Sequence, residues 1–363
     1  MTMKILALVT DAFGGEFGIA EYNRCLLEAM AEVSEDAEVI VLPRLKQRFA
    51  SEIPGRISQK DVISNKFLYV INVIKVLCLD GPFDLVFCGH IHLSSTSMFI
   101  SKIFRIPFWI QLHGVEGWEK HGFFQKLAAN CADLILSVSQ YTKERFLQSV
   151  PISSEKVRVL PNMVRKCFIP GVKPVQLLEK YGLKDKKIIL TVARLDRKDR
   201  DKGIALMIEI LPELIKHFQD LVYVVVGDGD DRSYLESLSR KHNVSACVVF
   251  AGKITERSLP DFYRMADLFV MPSTKEGFGI VYLESMACGI PAIGSGVDGS
   301  RDLLKHGLIA GSADQGALCR LILQKLSEGH LPDFLMSERI HQEFGREQFL
   351  SRVKKIFHEQ RLI

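Results

Sequence analysis

The 363-residue sequence has no apolar run long enough to cross a bilayer. Its longest apolar stretch, residues 67–79, is interrupted by Asn72 and Lys75 and is shorter than the roughly 20 residues of a transmembrane helix. The apolar run at residues 5–9 is followed by Asp11, which comes too soon for the apolar core of a signal peptide. We therefore predict no transmembrane helix and no secretory signal, and we interpret residues 5–9 as part of a first strand.

Paired or clustered cysteines are also missing. The eight cysteines stand singly in apolar stretches, with no CxxC pair and no His/Cys cluster. This spacing argues against a disulfide framework and against a structural zinc site. We expect buried, reduced thiols, as in a cytoplasmic protein.

The sequence carries little net charge. Its 47 Lys and Arg residues against 43 Asp and Glu residues give +4 over the whole chain, too balanced to indicate a nucleic-acid partner. Hydrophobic residues make up 47% and charged residues 25%, which indicates a packed globular protein and argues against disorder. At roughly 150 residues per domain, the length predicts two domains.

Short apolar runs alternate with longer amphipathic segments along the chain. The runs are apolar nearly throughout, as in parallel strands that helices cover on both faces. This pattern predicts an α/β fold with two doubly wound sheets. The predicted strands are residues 4–10, 38–42, 84–88, 108–112, 133–138, 156–160, 187–193, 221–226, 247–250, 267–271 and 291–294.

Prolines interrupt this alternation between residues 161 and 187, and we place a linker there. We predict a first domain over residues 1–165 and a second over residues 166–342. Because ligands bind at the carboxyl ends of parallel strands, the loops that follow the strands are the candidate binding regions.

The loop after the strand at 267–271 combines glycines with a carboxylate and leads into a predicted helix at 280–288. Free N–H groups at a helix start favour an anion or sugar hydroxyls, and the glycines permit close approach. An acidic helix start without a ligand is the alternative interpretation. The candidate residues are Glu276, Gly277, Phe278, Gly279, Ile280 and, eight positions after Glu276, Glu284.

Two cations follow the strand at 187–193: Arg194 directly, and Lys202 just before the next predicted helix. An Arg fork and a Lys point charge at one strand end would neutralise a diphosphate and stabilise it as a leaving group. Three further cations in the same loop leave open a merely solvated charge run.

The first domain offers three further strand-end positions. A glycine loop with Gly14 and Gly15 follows the first strand and could receive a phosphate, although a glycine turn alone is a weak signal. His113 follows the strand at 108–112, with Glu116 three residues later, so an imidazole lies at a strand end. Asn162 follows the strand at 156–160.

The segment from Glu276 to Glu284, EGFGIVYLE, resembles the signature of glycosyltransferase family 4, a group of retaining GT-B enzymes that use nucleotide sugars. The resemblance implies two Rossmann-like domains facing each other across a deep cleft. It also implies that a last helix, at about residues 343–358, packs back on the first domain. Glu276 would then contact the transferred sugar and Glu284 the nucleotide ribose.

The same resemblance assigns roles to the other candidates. Arg194 and Lys202 would bind the donor diphosphate, although their spacing is a few residues longer than the commonest family form. Gly14 and Gly15 would lie near the donor phosphates and the acceptor. His113 would bind the donor sugar near the anomeric carbon. Asn162 resembles the family's Pro-Asn motif and would be a hinge or cleft residue, although Met163 stands where glycine is common.

The implied reaction transfers a hexose from a nucleotide diphosphate sugar, of the GDP-mannose or UDP-hexose type, to a glycan or lipid-linked acceptor. Such a step belongs to polysaccharide, lipopolysaccharide or glycoconjugate synthesis and would require no metal and no cofactor besides the nucleotide sugar. Two alternatives stay open: a non-catalytic subunit that binds nucleotide sugar or glycan, and a GT-B epimerase or phosphorylase.

Residues 41–75 are rich in basic residues and belong to the domain expected to choose the acceptor. Together with neighbouring apolar residues, this stretch could contact an anionic membrane at its cytoplasmic face or grip a lipid diphosphate. A solvated basic face is an equal alternative. Its basic residues are Arg44, Lys46, Arg48, Arg56, Lys60, Lys66 and Lys75, against Glu52 and Asp61.

Overall fold

A computed structural model describes most of the chain, and the chain divides into two compact units. The first unit is Met1–Met163 with Arg346–Ile363, and the second is Val164–Gly345. The division falls two residues before the end of the predicted first domain at residue 165. The residues described are 3–15, 18–45, 53–310, 314–329 and 331–363.

Thirteen strands lie in the described part of the chain, and each of their pairings within the sheets is parallel. They are β1 (Lys4–Val9), β2 (Glu38–Pro43), β3 (Ile57–Gln59), β4 (Leu85–Cys88), β5 (Phe108–Leu112), β6 (Leu134–Ser137), β7 (Val157–Val159), β8 (Lys187–Val192), β9 (Leu221–Val226), β10 (Val248–Gly252), β11 (Leu268–Met271), β12 (Ala292–Gly294) and β13 (Ile309–Ala310).

Fourteen α-helices connect and flank these strands over the same described ranges. They are α1 (Gly18–Met30), α2 (Lys66–Asp80), α3 (Ser94–Phe104), α4 (Val115–Trp118), α5 (Phe123–Cys131), α6 (Gln140–Ser149), α7 (Val175–Lys180), α8 (Ile204–His217), α9 (Arg232–Lys241), α10 (Leu259–Met265), α11 (Ile280–Ala287), α12 (Gln315–Ser327), α13 (Phe334–Phe344) and α14 (Arg346–Glu359).

The first unit is built on a seven-stranded sheet of order β3-β2-β1-β4-β5-β6-β7. Buried side chains of α2, α3, α5 and α6 share one apolar core with alternate residues of its strands, so these helices cover the same face of the sheet. The last helix, α14, packs on α1, where the ring of Phe349 meets Tyr22 edge to face with centroids 6.3 Å apart. Further along α14, Phe357 lies 4.7 Å from the buried Trp109 ring.

The second unit is built on a six-stranded sheet of order β10-β9-β8-β11-β12-β13. Helices α8, α9 and α12 contribute buried apolar side chains to its core. The strand order reverses beside β8, and β11 lies between β8 and β12. The loops that follow these three strands therefore leave the sheet at one edge, which is where an open α/β sheet binds ligands.

The predicted α/β class with two parallel sheets is confirmed. Two short edge strands, β3 and β13, were not predicted, and helix α7 lies within the predicted irregular stretch. The last helix, predicted at about residues 343–358, is α14, and Gly345 separates it from α13. None of the eight cysteines forms a disulfide, but Cys78 and Cys167 are exposed where burial was predicted.

Candidate functional site

Three loops meet at the carboxyl edge of the second sheet. The loop after β8 contains a short 3-10 helix, Arg197–Lys202, and the loop after β11 covers residues 272–279. The N–H of Thr274 donates to the carbonyl of Asp201 at 3.0 Å, and the side chains of Lys275 and Asp201 lie 3.5 Å apart. The two loops are therefore held together before any ligand arrives.

Lys202 and Glu276 form an ion pair where these two loops meet. The Lys202 ammonium donates to Glu276 Oε1 at 2.5 Å, and the side chains expose only 19% and 13% of their surface. Burial acts to lower the pKa of Lys202, but the adjacent carboxylate raises it above its ordinary value, so Lys202 stays charged. Burial raises the pKa of Glu276, and Lys202 offsets part of that rise. The structure thus brings together two of the residues singled out in the sequence.

Asp298, which the sequence interpretation missed, fixes the backbone that carries Glu276. Its fully buried carboxylate accepts from the Glu276 N–H at 2.6 Å, from the Ser300 N–H at 3.0 Å and from the Ser300 hydroxyl at 2.6 Å. Burial raises the pKa of Asp298, and the hydrogen bonds from Ser300 and from the Glu276 backbone offset part of the rise. An Asp two residues before a Ser, four residues after the predicted strand at 291–294, was the available signal.

Two glycines let this loop pack tightly. The N–H of Gly299 donates to the Glu276 carbonyl at 2.8 Å, and a Cβ at Gly299 would lie 2.1 Å from the carbonyl oxygen of Gly277. Gly279 precedes α11 with a φ of +91°, and a Cβ there would lie 2.3 Å from the ring of Tyr282. The positions of Gly277, Gly279 and the first helical residue, Ile280, are therefore set by backbone packing.

Phe278 faces the protein interior. Its ring is buried, 5.9 Å from the ring of Phe344. Of the predicted ligand contacts in this loop, Phe278 can therefore offer its backbone but not its ring.

Glu284 lies on α11 and is also buried. The hydroxyl of Tyr263, on α10, donates to Glu284 Oε2 at 2.8 Å. Burial and the neighbouring carboxylate raise the pKa of Tyr263, which keeps the hydroxyl protonated and able to donate. Tyr263 was not singled out in the sequence, because α10 precedes the candidate loop and only the fold brings the two helices together.

Arg194 is more exposed than Lys202, with 66% of its side-chain surface accessible. Its guanidinium lies 3.1 Å from the Asp199 carboxylate. The neighbouring Arg200 makes two hydrogen bonds to the buried Asp231, at 2.7 and 2.5 Å, and stacks on Tyr234. The guanidinium of Arg200 is therefore bound to Asp231, directly before α9. Arg194 borders a concavity lined also by Asp196, Asp199, Arg200 and Asp231.

In the first unit, α1 holds the glycine loop that follows β1. The Arg24 guanidinium donates to the carbonyls of Gly15 and, at 3.3 Å, Ala12, and the Asn23 amide donates to the Asp11 carbonyl at 2.9 Å. Gly14 is buried in the same loop, whose residues 16 and 17 lie outside the described part.

His113 is held in a defined orientation at the end of β5. Its Nε2–H donates to the Gly89 carbonyl at 2.8 Å, and its ring meets Tyr22 edge to face, with centroids 5.3 Å apart. Glu116 accepts from the backbone N–H of His113 and, at 3.1 Å, from that of Gly114. Burial lowers the pKa of His113, and Glu116 offsets part of this shift, so the imidazole is neutral at pH 7. Its Nδ1 is then an acceptor.

His90, a second residue that sequence interpretation missed, follows β4 with its ring 6.0 Å from that of His113. It is 7% exposed, and its Nδ1 accepts from the His92 N–H at 3.2 Å. Burial, more than the neighbouring groups, lowers the pKa of His90 to about 4.

The shifted pKa of His90 predicts a pH-dependent stability. Between pH 6.5 and about 4 the unfolded chain binds a proton at this position that the folded chain does not, so stability falls as the pH falls. From pH 7 to pH 5, His90 should contribute a loss of about 2 kcal/mol. His90→Asn keeps an acceptor for the His92 N–H. It should remove this contribution to the pH dependence of the free energy of unfolding, measured by urea unfolding at the two pH values. His217→Asn, at an exposed histidine, is the control, and equal pH dependence in all three proteins would contradict the prediction.

Asn162 lies in the segment that follows β7. The next residue, Met163, is the last one before the chain passes into the second unit. The side-chain Oδ1 of Asn162 is buried without a hydrogen-bond partner. Just before it, the Leu160 carbonyl accepts from the Tyr22 hydroxyl at 3.0 Å. The structure thus anchors the chain directly before Asn162.

No three His, Cys, Asp or Glu side chains in the described ranges are grouped so that they could hold a metal ion. No helix there is long and apolar enough to span a bilayer.

Two protein-family models match the chain. One, described as Glycosyltransferase Family 4, matches residues 18–166, and the other, described as Glycosyl transferases group 1, matches residues 176–340.

The sequence is similar to curated proteins over about half of its length. A GDP-mannose-dependent alpha-(1-6)-phosphatidylinositol monomannoside mannosyltransferase of Mycolicibacterium smegmatis is 32% identical over 213 residues, which are 55% of this chain and 54% of the relative. The alpha-D-kanosaminyltransferase of Streptomyces kanamyceticus is 26% identical over 57% of each chain. The chain thus spans about half the length of the curated relatives it matches.

Among solved structures, Anabaena HepE in complex with UDP and glucose superposes with a TM-score of 0.79 at 19% identity, covering 98% of this chain and 100% of HepE. This likeness concerns the fold.

Proposed function

Because this chain belongs to the group 1 glycosyl transferases of glycosyltransferase family 4 and has their GT-B fold, we propose that it transfers a hexose from a nucleotide diphosphate sugar with retention of configuration. The observation that carries the proposal is the buried Lys202–Glu276 pair at the ends of neighbouring strands. It offers a cation for a phosphate beside a carboxylate for sugar hydroxyls, on a backbone that Asp298 fixes.

The second unit would bind the donor. Lys202, with the exposed Arg194 as a second cation, would neutralise the diphosphate and stabilise it as it departs. Glu276 would accept hydrogen bonds from the transferred sugar. Glu284, oriented by the Tyr263 hydroxyl, would hold the nucleotide ribose.

Retention would come from substitution on one face of the sugar. The bond from the anomeric carbon to the diphosphate oxygen breaks, the bond to the acceptor oxygen forms on the same side, and the acceptor proton passes to the departing phosphate oxygen. The protein supplies position and charge and needs no resident metal for this step. Because Glu276 is paired with Lys202, its proposed role is sugar contact and not nucleophilic attack.

The roles of the first unit stay predictions from the resemblance. They are a donor-sugar contact for His113, proximity to the phosphates and acceptor for Gly14 and Gly15, and a hinge or cleft role for Asn162. Because Nε2 of the neutral His113 imidazole donates to the Gly89 carbonyl, Nδ1 is an acceptor. This supports a role for His113 in accepting a hydrogen bond from a sugar hydroxyl.

The names of similar proteins support two donor classes and a lipid-linked acceptor. The mycolicibacterial relative is GDP-mannose-dependent and modifies a phosphatidylinositol mannoside, whereas HepE was solved with UDP and glucose. We propose a GDP-mannose or UDP-hexose donor and a glycan or lipid-linked acceptor in polysaccharide, lipopolysaccharide or other glycoconjugate synthesis.

The test is donor turnover without acceptor, since transferases hydrolyse their donors slowly. Purified protein is incubated with UDP-, GDP- and ADP-hexoses, with and without EDTA, and nucleotide release is followed. Release from one donor class that survives EDTA is expected. Binding without release would support a non-catalytic subunit, and conversion to another nucleotide sugar would support an epimerase. Absence of both binding and release would overturn the proposal.

Glu284→Ala is expected to weaken nucleotide binding by at least about tenfold, because a hydrogen bond to a charged group contributes about 1.5–3 kcal/mol. Tyr263→Phe keeps the buried ring but removes one donor to Glu284, and a smaller loss is expected. Titration calorimetry with UDP and with GDP measures both variants. Unchanged affinity for Glu284→Ala would remove this residue from the ribose site.

A further inference from the structure

The helices that cover one face of the first sheet carry many apolar side chains on their outer sides. Inner residues of α2, α3 and α5 belong to the core. The outer residues of the same helices are exposed, and Phe67, Ile103 and Phe123 each expose more than 70% of their surface. We call this surface the apolar face; it consists of Phe67, Leu68, Ile71, Ile74, Leu79, Phe99, Ile103, Phe123, Phe124 and Leu127.

The apolar face is continuous between α3 and α5. The rings of Phe99 on α3 and Phe124 on α5 lie 6.1 Å apart, and the rings of Phe123 and Phe124 lie 5.5 Å apart. On α2, residues 67, 71 and 74 recur at helical spacing and form a stripe opposite the buried Tyr69 and Val73. Exposed apolar surface of this extent marks an interaction site, since a water-facing helix would normally carry polar residues there.

The charges on these helices are nearly all positive. Helices α2, α3 and α5 carry Lys66, Lys75, Lys102 and Lys126 against a single acid, Asp80. Asp80 is itself paired with Lys60 at 3.1 Å. Lysines around exposed aromatic and aliphatic side chains complement an anionic lipid surface, into which the apolar groups insert. A second copy of the chain would instead bring like charges together.

The apolar face overlaps in part with the stretch in which the sequence predicted a membrane contact, because its residues between 67 and 74 on α2 belong to both. That expectation relied on the basic residues of 41–75, of which Lys46 and Arg48 lie outside the described residues. Arg56 donates to the carbonyls of Ala31 and Ser34 at the end of α1, so its guanidinium is bound within the protein. Six of the ten residues of the apolar face lie beyond residue 75, and the other four are apolar residues of α2.

We propose that the apolar face docks on an anionic lipid bilayer. The phenylalanines and isoleucines insert into the interfacial layer, and the four lysines contact lipid headgroups. This inference stands on the first unit alone and does not rest on the donor chemistry.

The test is flotation of the full chain with two kinds of vesicle, phosphatidylcholine alone and phosphatidylcholine with phosphatidylglycerol at 7:3. Binding to the anionic vesicles that weakens with added salt is expected. Phe67→Ser/Phe123→Ser should lower the partition coefficient at least about tenfold, and Lys102→Gln/Lys126→Gln several-fold. Phe334→Ser/Leu335→Ser, at exposed apolar residues of the second unit, is the matched control and should bind like the unmodified chain.

Insertion of the apolar face into the lipid is measured separately. Phe123→Trp should give a tryptophan emission that shifts to the blue and is quenched by brominated lipid. Absence of vesicle binding, or equal binding by the apolar-face and control variants, would overturn the proposal. So would a dimer in light scattering that Phe67→Ser/Phe123→Ser dissociates. Donor release, assayed without vesicles, reports on the transferase proposal independently, so either can fail alone.

Discussion

Lys202→Met is expected to lower the rate of nucleotide release by about 100-fold or more. In the proposed reaction the departing diphosphate gains negative charge, and removing one preorganised group that stabilises such charge typically costs about 10²–10³ in rate. Lys202 is well placed for this because it is largely buried, where a charge acts more strongly than in water. The rate constant of nucleotide release by Lys202→Met and by the unmodified chain is measured with the donor identified by the turnover assay.

The same substitution leaves Glu276 buried without its cation, and this must be separated from loss of catalysis. Lys202→Met/Glu276→Gln removes both charges and should recover thermal stability without recovering turnover. Lys198→Met is the control in the same loop, since Lys198 is 69% exposed and lies 3.9 Å from Asp196. Similar rates for Lys202→Met and Lys198→Met would exclude Lys202 from the diphosphate site.

Asp298→Ala is expected to destabilise the second unit by about 3 kcal/mol and to lower turnover at least about tenfold. The carboxylate satisfies the Glu276 N–H and both donors of Ser300, and each donor left unsatisfied in a buried position costs about 1–3 kcal/mol. Turnover falls because the Glu276 backbone is no longer fixed, which displaces its carboxylate.

Asp298→Asn distinguishes position from stability. The amide keeps the shape and one acceptor, so it should recover part of the stability and part of the turnover. If Asp298→Ala lowered the melting temperature but left both the rate and the KM for donor unchanged at a temperature where it is folded, Asp298 would have no positioning role.

Much of the fold follows from local patterns in the sequence. The interior strands of both sheets are largely apolar runs of three to six residues, such as β8 and β9, and these were predicted. β13 has two residues and β3 three, too few for any periodicity to stand out. The start of the last helix was placed about three residues too early because Gly345 interrupts one amphipathic pattern that continues on both sides.

The candidate site divides in the same way. Glu276 and Lys202 could be found because each follows a strand at the edge where ligands bind. Asp298 lies 22 residues after Glu276 and meets it only because β12 is the neighbour of β11. Tyr263 lies 21 residues before Glu284 and reaches it by packing of α10 on α11. Supporting residues of this kind depend on strand order, which local sequence does not specify.

In the proposed reaction Glu276 acts on the transferred sugar, and other residues hold the nucleotide. Glu276→Gln tests this division of roles, because the amide keeps the volume and a hydrogen-bond acceptor for Lys202. Nucleotide release and the affinity for UDP and GDP are measured side by side, with Glu213→Gln, at an exposed glutamate, as the control. We expect Glu276→Gln to lower turnover at least about tenfold, or roughly 1.4 kcal/mol in barrier, with nucleotide affinity within about twofold of the unmodified chain. Equal turnover in both proteins would contradict it.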